Sequence, residues 1–215
     1  MATRAQQAAW SSAVAATDPL AARLLADHGP LVLGTAPAAG DRFGALSRSI
    51  CFQQLAGAAA STIWGRVETA VGGRVTAQSI MSTPFEHLRT AGLSNAKATT
   101  IVGLATAVLA GAVDLASIGR RPDEVVIEEL IVVKGIGRWT AEMFLMFTLH
   151  RHDVWPTGDL GVRMGYGLAV GASEPPTAME LTPLGERFRP YRTVVAWWCW
   201  QEVNASRRGA ASTTT

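Results

Sequence analysis

Apolar residues recur along this chain at three- and four-residue steps, the spacing of one helix face, and nowhere alternate over the length of a strand. The punctuation between apolar runs is helical too. Thr17-Asp18-Pro19 reads as a helix start with proline in the first turn, and the apolar face over Leu20–Ala26 stops at Gly29-Pro30. Residues 34–42 read as loop. Phe43 to Ala60 reads as a long helix with a break near Gly57, and Ser61 to Val71 as another, ended by Gly72-Gly73. A short helix is expected over Thr76–Met81. The run Thr83-Pro84-x-Glu86 looks like a capped start for a helix to about Thr90, and Asn95–Leu109 follows after a Gly92-Leu93-Ser94 turn. Pro122-Asp123-Glu124 opens a helix to about Val133, and Gly137 or Arg138 opens the next, to about His150. Residues 151–159 are irregular. Leu160–Val170 looks helical despite its glycines, Thr177–Arg187 holds another helix, and Pro190–Asn204 is the last strong one. The expectation is an all-α chain of about ten helices, one domain over residues 1–205, with a disordered tail over 206–215.

Composition narrows this picture. With 215 residues and 48% hydrophobic residues the chain can build a sizeable core. A formal net charge of +2 permits a nucleic-acid partner without requiring one, so any basic footprint is local. No apolar run approaches the length of a membrane span, and the start, MATRAQQAAW, lacks a signal-peptide core, so the protein is expected in the cytoplasm. Cys51 and Cys199 each sit in an apolar run and read as buried thiols, although spacing alone does not exclude a disulfide. Two cysteines cannot supply a four-cysteine iron–sulfur cluster. The four histidines show no zinc spacing, and His150-x-His152 reads as loop surface.

The chemistry concentrates in Glu129–Asp159, ELIVVKGIGRWTAEMFLMFTLHRHDVWPTGD. Lys134-Gly135-Ile136-Gly137 between two helices makes a tight hairpin over about residues 124–150, whose backbone N–H groups can grip a phosphate. A Pro-rich turn then delivers Asp159. A carboxylate there could stabilise positive charge on a sugar or deprotonate a water; the competing reading is a helix N-cap. Asp153 and Glu142 are the rival acids. Trp139, Trp197, Trp198 and Trp200 could stack on an electron-poor base or simply fill the core.

VVKGIGRWTAEMF followed by VWPTGDLGVRMGYG resembles the helix-hairpin-helix and Gly/Pro–Asp motif of DNA glycosylases, specifically the DNA-3-methyladenine glycosylase II family. RSICFQQLAGAAAS resembles that family's barrel-lining helix, GLSNAKATTIVGLA its segment ahead of the hairpin, and RPYRTVVAWWCW its closing helix, so the resemblance spans most of residues 43–204. The hairpin departs in one place: Val133-Lys134-Gly135 stands where the family usually has a proline before the glycine.

The resemblance implies a fold of two lobes around a DNA-binding cleft, without the family's extra N-terminal β-rich domain. It implies a base-excision-repair enzyme that flips an alkylated base such as 3-methyladenine or 7-methylguanine out of double-stranded DNA and hydrolyses its N-glycosidic bond. Strand-cutting relatives carry a lysine where this chain has Trp139, so no lyase activity is expected. Asp159 takes the catalytic place; Trp139, Trp200 and Met143 the base pocket; Gln54 or Leu55 the wedge that fills the vacated stack. Lys134, Gly135, Gly137, Arg138 and Thr140 fall on the DNA backbone, with Lys97 and Arg163 as further candidates, and Arg192 could brace the aspartate loop. No cofactor for catalysis is implied, only a structural Na⁺ or K⁺ on the backbone carbonyls of Ile131, Val133 and Ile136. A monomer near the nucleoid is the expected state. Removal of mispaired uracil or thymine is the rival activity, and a non-catalytic helix-hairpin-helix DNA-binding module the rival outside enzymes.

Overall fold

The computed structural model describes residues 2–55 and 57–212, and these form α-helices, short 3-10 turns and loops with no strand among them. In chain order the helices are α1 (Arg4–Thr17), α2 (Pro19–His28), α3 (Arg42–Phe52), α4 (Gly57–Ala70), α5 (Ala77–Ser82), α6 (Phe85–Thr90), α7 (Asn95–Leu109), α8 (Asp123–Ile131), α9 (Arg138–Phe147), α10 (Leu160–Val170), α11 (Ala178–Leu184) and α12 (Arg192–Ser212). They group into two units, Met1–Ala36 with His150–Thr215, and Pro37–Leu149.

In the first unit α12 packs on α10 and α2. Val194, Val195, Ala196, Trp198 and Cys199 have no exposed surface, so this stretch of the helix is apolar nearly all round because it is enclosed. Each fully buried Leu or Phe around it, such as Leu24 or Phe188, contributes roughly 1.5–3 kcal/mol. Asp18 caps α2 through the N–H groups of Leu20 and Ala21 and also bonds Arg187, 2.7 Å from Oδ2 to Nε. In the second unit α3 packs on α4, α7 and α9, α5 lies along α7, and α8 and α9 form the hairpin. Its core holds Leu46, Ile50, Leu88, Ile101, Leu104, Leu130 and Phe144.

Several boundaries differ from the sequence expectation, each for a physical reason. Helix α1 was not anticipated. Its inward face carries Gln7 and Ser11 beside Val14, so a search for apolar periodicity passes over it. Those buried polar groups are satisfied: Gln7 Oε1 accepts the Leu33 N–H at 2.8 Å and Ser11 Oγ the Leu31 N–H at 2.9 Å. The break expected near Gly57 begins earlier, at Gln53, and Gly57–Ala70 is one helix. Thr83 does not cap α6; its hydroxyl donates back to the Ser79 carbonyl at 2.8 Å. The last helix runs to Ser212 rather than stopping at Asn204. Alanine and arginine favour helix there and Gly209 alone opposes it. Residues 206–212 are therefore helical, and the rest of the expected tail, 213–215, lies outside the described residues.

Candidate active site and nucleic-acid interface

The hairpin between α8 and α9 uses its two glycines for different purposes. Gly135 sits at φ +95°, where only glycine is at ease, and a Cβ there would lie 2.0 Å from Thr100 Oγ1. Gly137 has φ −94° and ψ 172°, open to any residue, and a Cβ would meet nothing within 4 Å. Nothing inside the protein requires glycine at 137. The bare backbone there, and the start of α9, which no side chain caps, face outward with the positive end of a helix dipole. Val133 and Ile136 turn inward, 4% exposed each, and the Ile136 N–H closes the turn on the Val133 carbonyl at 2.9 Å.

Two side chains expected on DNA are engaged within the protein. Arg138 forms a fork with Glu124, Nη1–Oε2 3.0 Å and Nη2–Oε1 2.6 Å, and its Nε lies 3.2 Å from Oε1 of the buried Glu142. The hydrogen bond from Arg138 holds the Glu124 carboxyl below the usual carboxylate range. Arg138 thus staples α8 to α9, and Glu142 supports the hairpin. The Thr140 hydroxyl is buried and accepts from Gln53 Nε2 at 2.9 Å, because α3 ends against the first turn of α9. Lys134 is exposed at the hairpin tip.

Lys97 differs most from expectation. Rather than facing solvent or phosphate, its Nζ donates to the carbonyls of Cys51 (2.8 Å) and Gln53 (2.6 Å), capping the C-terminus of α3 from α7. Beyond that cap Gln54 adopts φ +56°, and Gln54 and Leu55 are both exposed.

In the other unit, Trp155 to Asp159 is a chain of turns: the Thr157 N–H reaches the Trp155 carbonyl and the Asp159 N–H the Pro156 carbonyl, each at 2.9 Å. Asp159 is the N-cap of α10. Its Oδ1 accepts the Val162 N–H at 2.8 Å and the Trp200 indole N–H at 2.9 Å. The capping reading and a chemical role are compatible, since the cap fixes the carboxylate's direction while the residue stays half-buried. The glycines of α10 make this possible. A Cβ on Gly161 would sit 2.8 Å from Trp200 Cδ1 and 3.0 Å from Asp159 Oδ1, and one on Gly165 1.9 Å from the Cys199 carbonyl oxygen. The loop leading to Asp159 is braced as expected at Arg192, whose Nε lies 2.7 Å from Asp153 Oδ1, with Arg189 Nη1 2.7 Å from Oδ2. Asp153, with both oxygens on arginines, is bracing and not a rival acid.

The remaining candidates divide by burial. Trp139 is 39% exposed on the first turn of α9, whereas Met143 one turn later is 7% exposed. Trp198 is core, donating its indole N–H to the Gly29 carbonyl at 2.8 Å. Arg163, half-buried, has a buried Nε without a hydrogen bond. His150 is not loop surface: it is 5% exposed at φ +54°, and burial pulls its pKa down. His152 is exposed, with Nδ1 2.6 Å from the Pro190 carbonyl. Cys51 and Cys199 are buried free thiols, and desolvation pushes both upward in pKa. No helix among the described residues is long and apolar enough to cross a membrane.

The structure therefore assembles two groups, Asp159 with Trp200 and Gly161 in one unit, and the hairpin with Thr140, Gln53 and Lys97 in the other. Sequence reasoning overlooked Gly161 and Gly165, and it foresaw neither the bond from Gln53 to Thr140 nor the carbonyls that Lys97 holds. Signals existed: glycines four apart in a helix that must stay regular, and a chain with only two lysines, Lys97 and Lys134.

Comparison with known proteins bears on both groups. The model of the HhH-GPD superfamily of base excision DNA repair proteins matches residues 47–190. DNA-3-methyladenine glycosylase 1 of Schizosaccharomyces pombe is 36% identical over 159 residues, 73% of this chain and 70% of that protein. Among solved structures, the S. pombe 3-methyladenine DNA glycosylase in complex with abasic DNA superposes with a TM-score of 0.80 at 31% identity, covering 90% of this chain and 95% of its own. The DNA-3-methyladenine glycosidase of Bacillus halodurans gives a TM-score of 0.79 at 35% identity, covering 89% and 88%.

Proposed function

The chain belongs to the HhH-GPD superfamily of base excision DNA repair proteins, and we propose that it is a monofunctional glycosylase releasing alkylated purines from double-stranded DNA. The observation that carries this reading is the Asp159 carboxylate, aimed by the start of α10 and by the Trp200 indole N–H. Cleaving an N-glycosidic bond leaves positive charge on the sugar, and a carboxylate held in one direction stabilises it without reorganising. The same group can orient the attacking water. A ring-alkylated purine is cationic and leaves readily, so little general acid is needed. The half-exposed Trp139 offers the electron-rich face such a base favours.

The hairpin supports DNA binding in a specific way. With Arg138 on Glu124 and Glu142, and the Thr140 hydroxyl buried, phosphate contact falls to the N–H groups past Gly135 and Gly137, with Lys134 beside them. A monovalent cation on the carbonyls of Ile131, Val133 and Ile136 is part of the proposal. Val133 already accepts one N–H, which leaves it a second lone pair, and Ile131 closes α8, where the carbonyl end of a helix carries partial negative charge. DNA affinity should then be lower in tetramethylammonium than in K⁺ at equal ionic strength; equal affinities would remove the cation. The protein is further proposed to act as a monomer in the cytoplasm, near the nucleoid.

The reaction class is tested by incubating wild type with a duplex containing 7-methylguanine or 3-methyladenine and measuring free base. Asp159→Asn should lower single-turnover release by about 10²–10³-fold or more with DNA affinity retained. Borohydride should trap no covalent adduct, because Trp139 brings no amine. An active asparagine variant, or a trapped adduct, would overturn the mechanism. DNA binding without release from any lesion would favour a binding module instead.

A further inference from the structure

We infer that Lys97 is a positioning residue for the DNA wedge: by gripping the carbonyls of Cys51 and Gln53 it holds the Gln54–Leu55 turn in the shape that enters a duplex. The inference rests on the glycosylase reading above.

The turn is poorly held by its own bonds. The Gln53 N–H reaches Ile50 O at 3.4 Å and the Leu55 N–H reaches Phe52 O at 3.3 Å, both long for amide hydrogen bonds. Gln54 has φ +56°, a conformation unfavourable for a residue with a Cβ, which persists only when the surroundings impose it. The end of α3 carries no basic residue of its own to compensate its carbonyls. Among the described residues, side chains hold it from outside the segment at two points. Lys97 Nζ, on a half-buried stem from the first turn of α7, places charge-assisted hydrogen bonds on Cys51 O and Gln53 O, the carbonyls just before the exposed pair. Gln53 Nε2 then ties the same turn to Thr140, in the first turn of the hairpin helix. The wedge and the phosphate-facing hairpin are thereby fixed to one another through Gln53, with Lys97 setting the turn's shape.

The position of this tether separates it from general packing. It ends on carbonyls just ahead of the two residues that must displace a base, and those residues, Gln54 and Leu55, remain exposed. A wedge that must be ordered afresh at each encounter spends part of its binding free energy on ordering, so a pre-shaped turn favours extrusion. An unpaired lesion needs no partner displaced and should not depend on this device.

The test compares wild type, Lys97→Met, which keeps the stem and removes the donors, and Lys97→Arg, which restores them. Circular dichroism confirms the fold of each. Single-turnover release of 7-methylguanine is then measured from a duplex, with cytosine opposite, and from the same strand unpaired. Lys97→Met should slow release from the duplex by about tenfold to a hundredfold, the scale of one charge-assisted hydrogen bond. On the unpaired strand it should lose less than about threefold, and amide exchange over residues 53–55 should rise. Lys97→Arg should recover most of the duplex rate. Equal losses on both substrates would mean a merely structural lysine and overturn the inference. A wild type that frees no base from either substrate overturns the glycosylase reading and the wedge role together. An active wild type matched by Lys97→Met overturns this inference alone.

Discussion

The two functional groups are stiffened by opposite means. Around Asp159 the protein removes side chains so that helices can touch: Gly165 of α10 meets the Cys199 backbone, Gly161 leaves room for the Trp200 indole, and the carboxylate is caught between a helix start and an N–H donor. Around the hairpin it removes side chains so that the backbone can bend and be reached, with Gly135 at φ +95° and Gly137 facing open space. There the stiffness comes from long side chains that cross between helices, Arg138 to Glu124 and Glu142, Gln53 to Thr140, Lys97 to the end of α3. A carboxylate that must face one atom is best fixed by close packing, which admits no slack. A surface that must accept a phosphate is best left as bare backbone and braced from behind.

Substitutions at the glycines test this contrast. The largest effect is expected from Gly165→Ala, whose methyl would overlap backbone atoms that cannot turn away; a loss of about 3 kcal/mol in unfolding free energy is expected, read by denaturant titration. An unchanged stability would show that α10 and α12 can separate freely. Gly135→Ala should cost about 2 kcal/mol, from its positive φ and from the collision with the Thr100 hydroxyl. Next comes Trp200→Phe, which keeps an aromatic ring but removes the donor to Asp159. It should lower kcat about tenfold with little change in DNA affinity, the mark of a lost charge-assisted hydrogen bond that positions the carboxylate. A change in affinity alone would place Trp200 in binding instead. The smallest stability effect is expected at Gly137→Ala, within about 0.5 kcal/mol of wild type, because a surface methyl there meets nothing. Its DNA affinity should nonetheless fall. A variant that binds DNA as well as wild type would remove the hairpin backbone from the interface.

Legibility in the sequence followed the range of the interactions. Asn95–Leu109 and Leu160–Val170 were readable to the residue, since Ser94 and Asp159 cap their starts and Gly171 ends the second in a left-handed turn. Both signals lie within a few residues of the boundary they mark. The end of α3 was not readable, because Cys51, Phe52 and Leu55 continue an apolar pattern while the carbonyls at the break are taken up by Lys97, 44 positions after Gln53. Arg138 and Thr140 looked like phosphate ligands for the same reason: their partners Glu124 and Gln53 are 14 and 87 positions away.

By itself the sequence determined the helical class, the order of the helices after α1, the hairpin with its two glycines and the aspartate that follows, since periodicity, caps and turn residues act over neighbouring positions. Only the tertiary structure decided which polar side chains face outward and which brace the interior. It gave Lys97 to the end of α3, the Trp200 N–H to Asp159 and, at the surface, Arg138 to Glu124, because each partner is chosen by proximity in space, which no local pattern records.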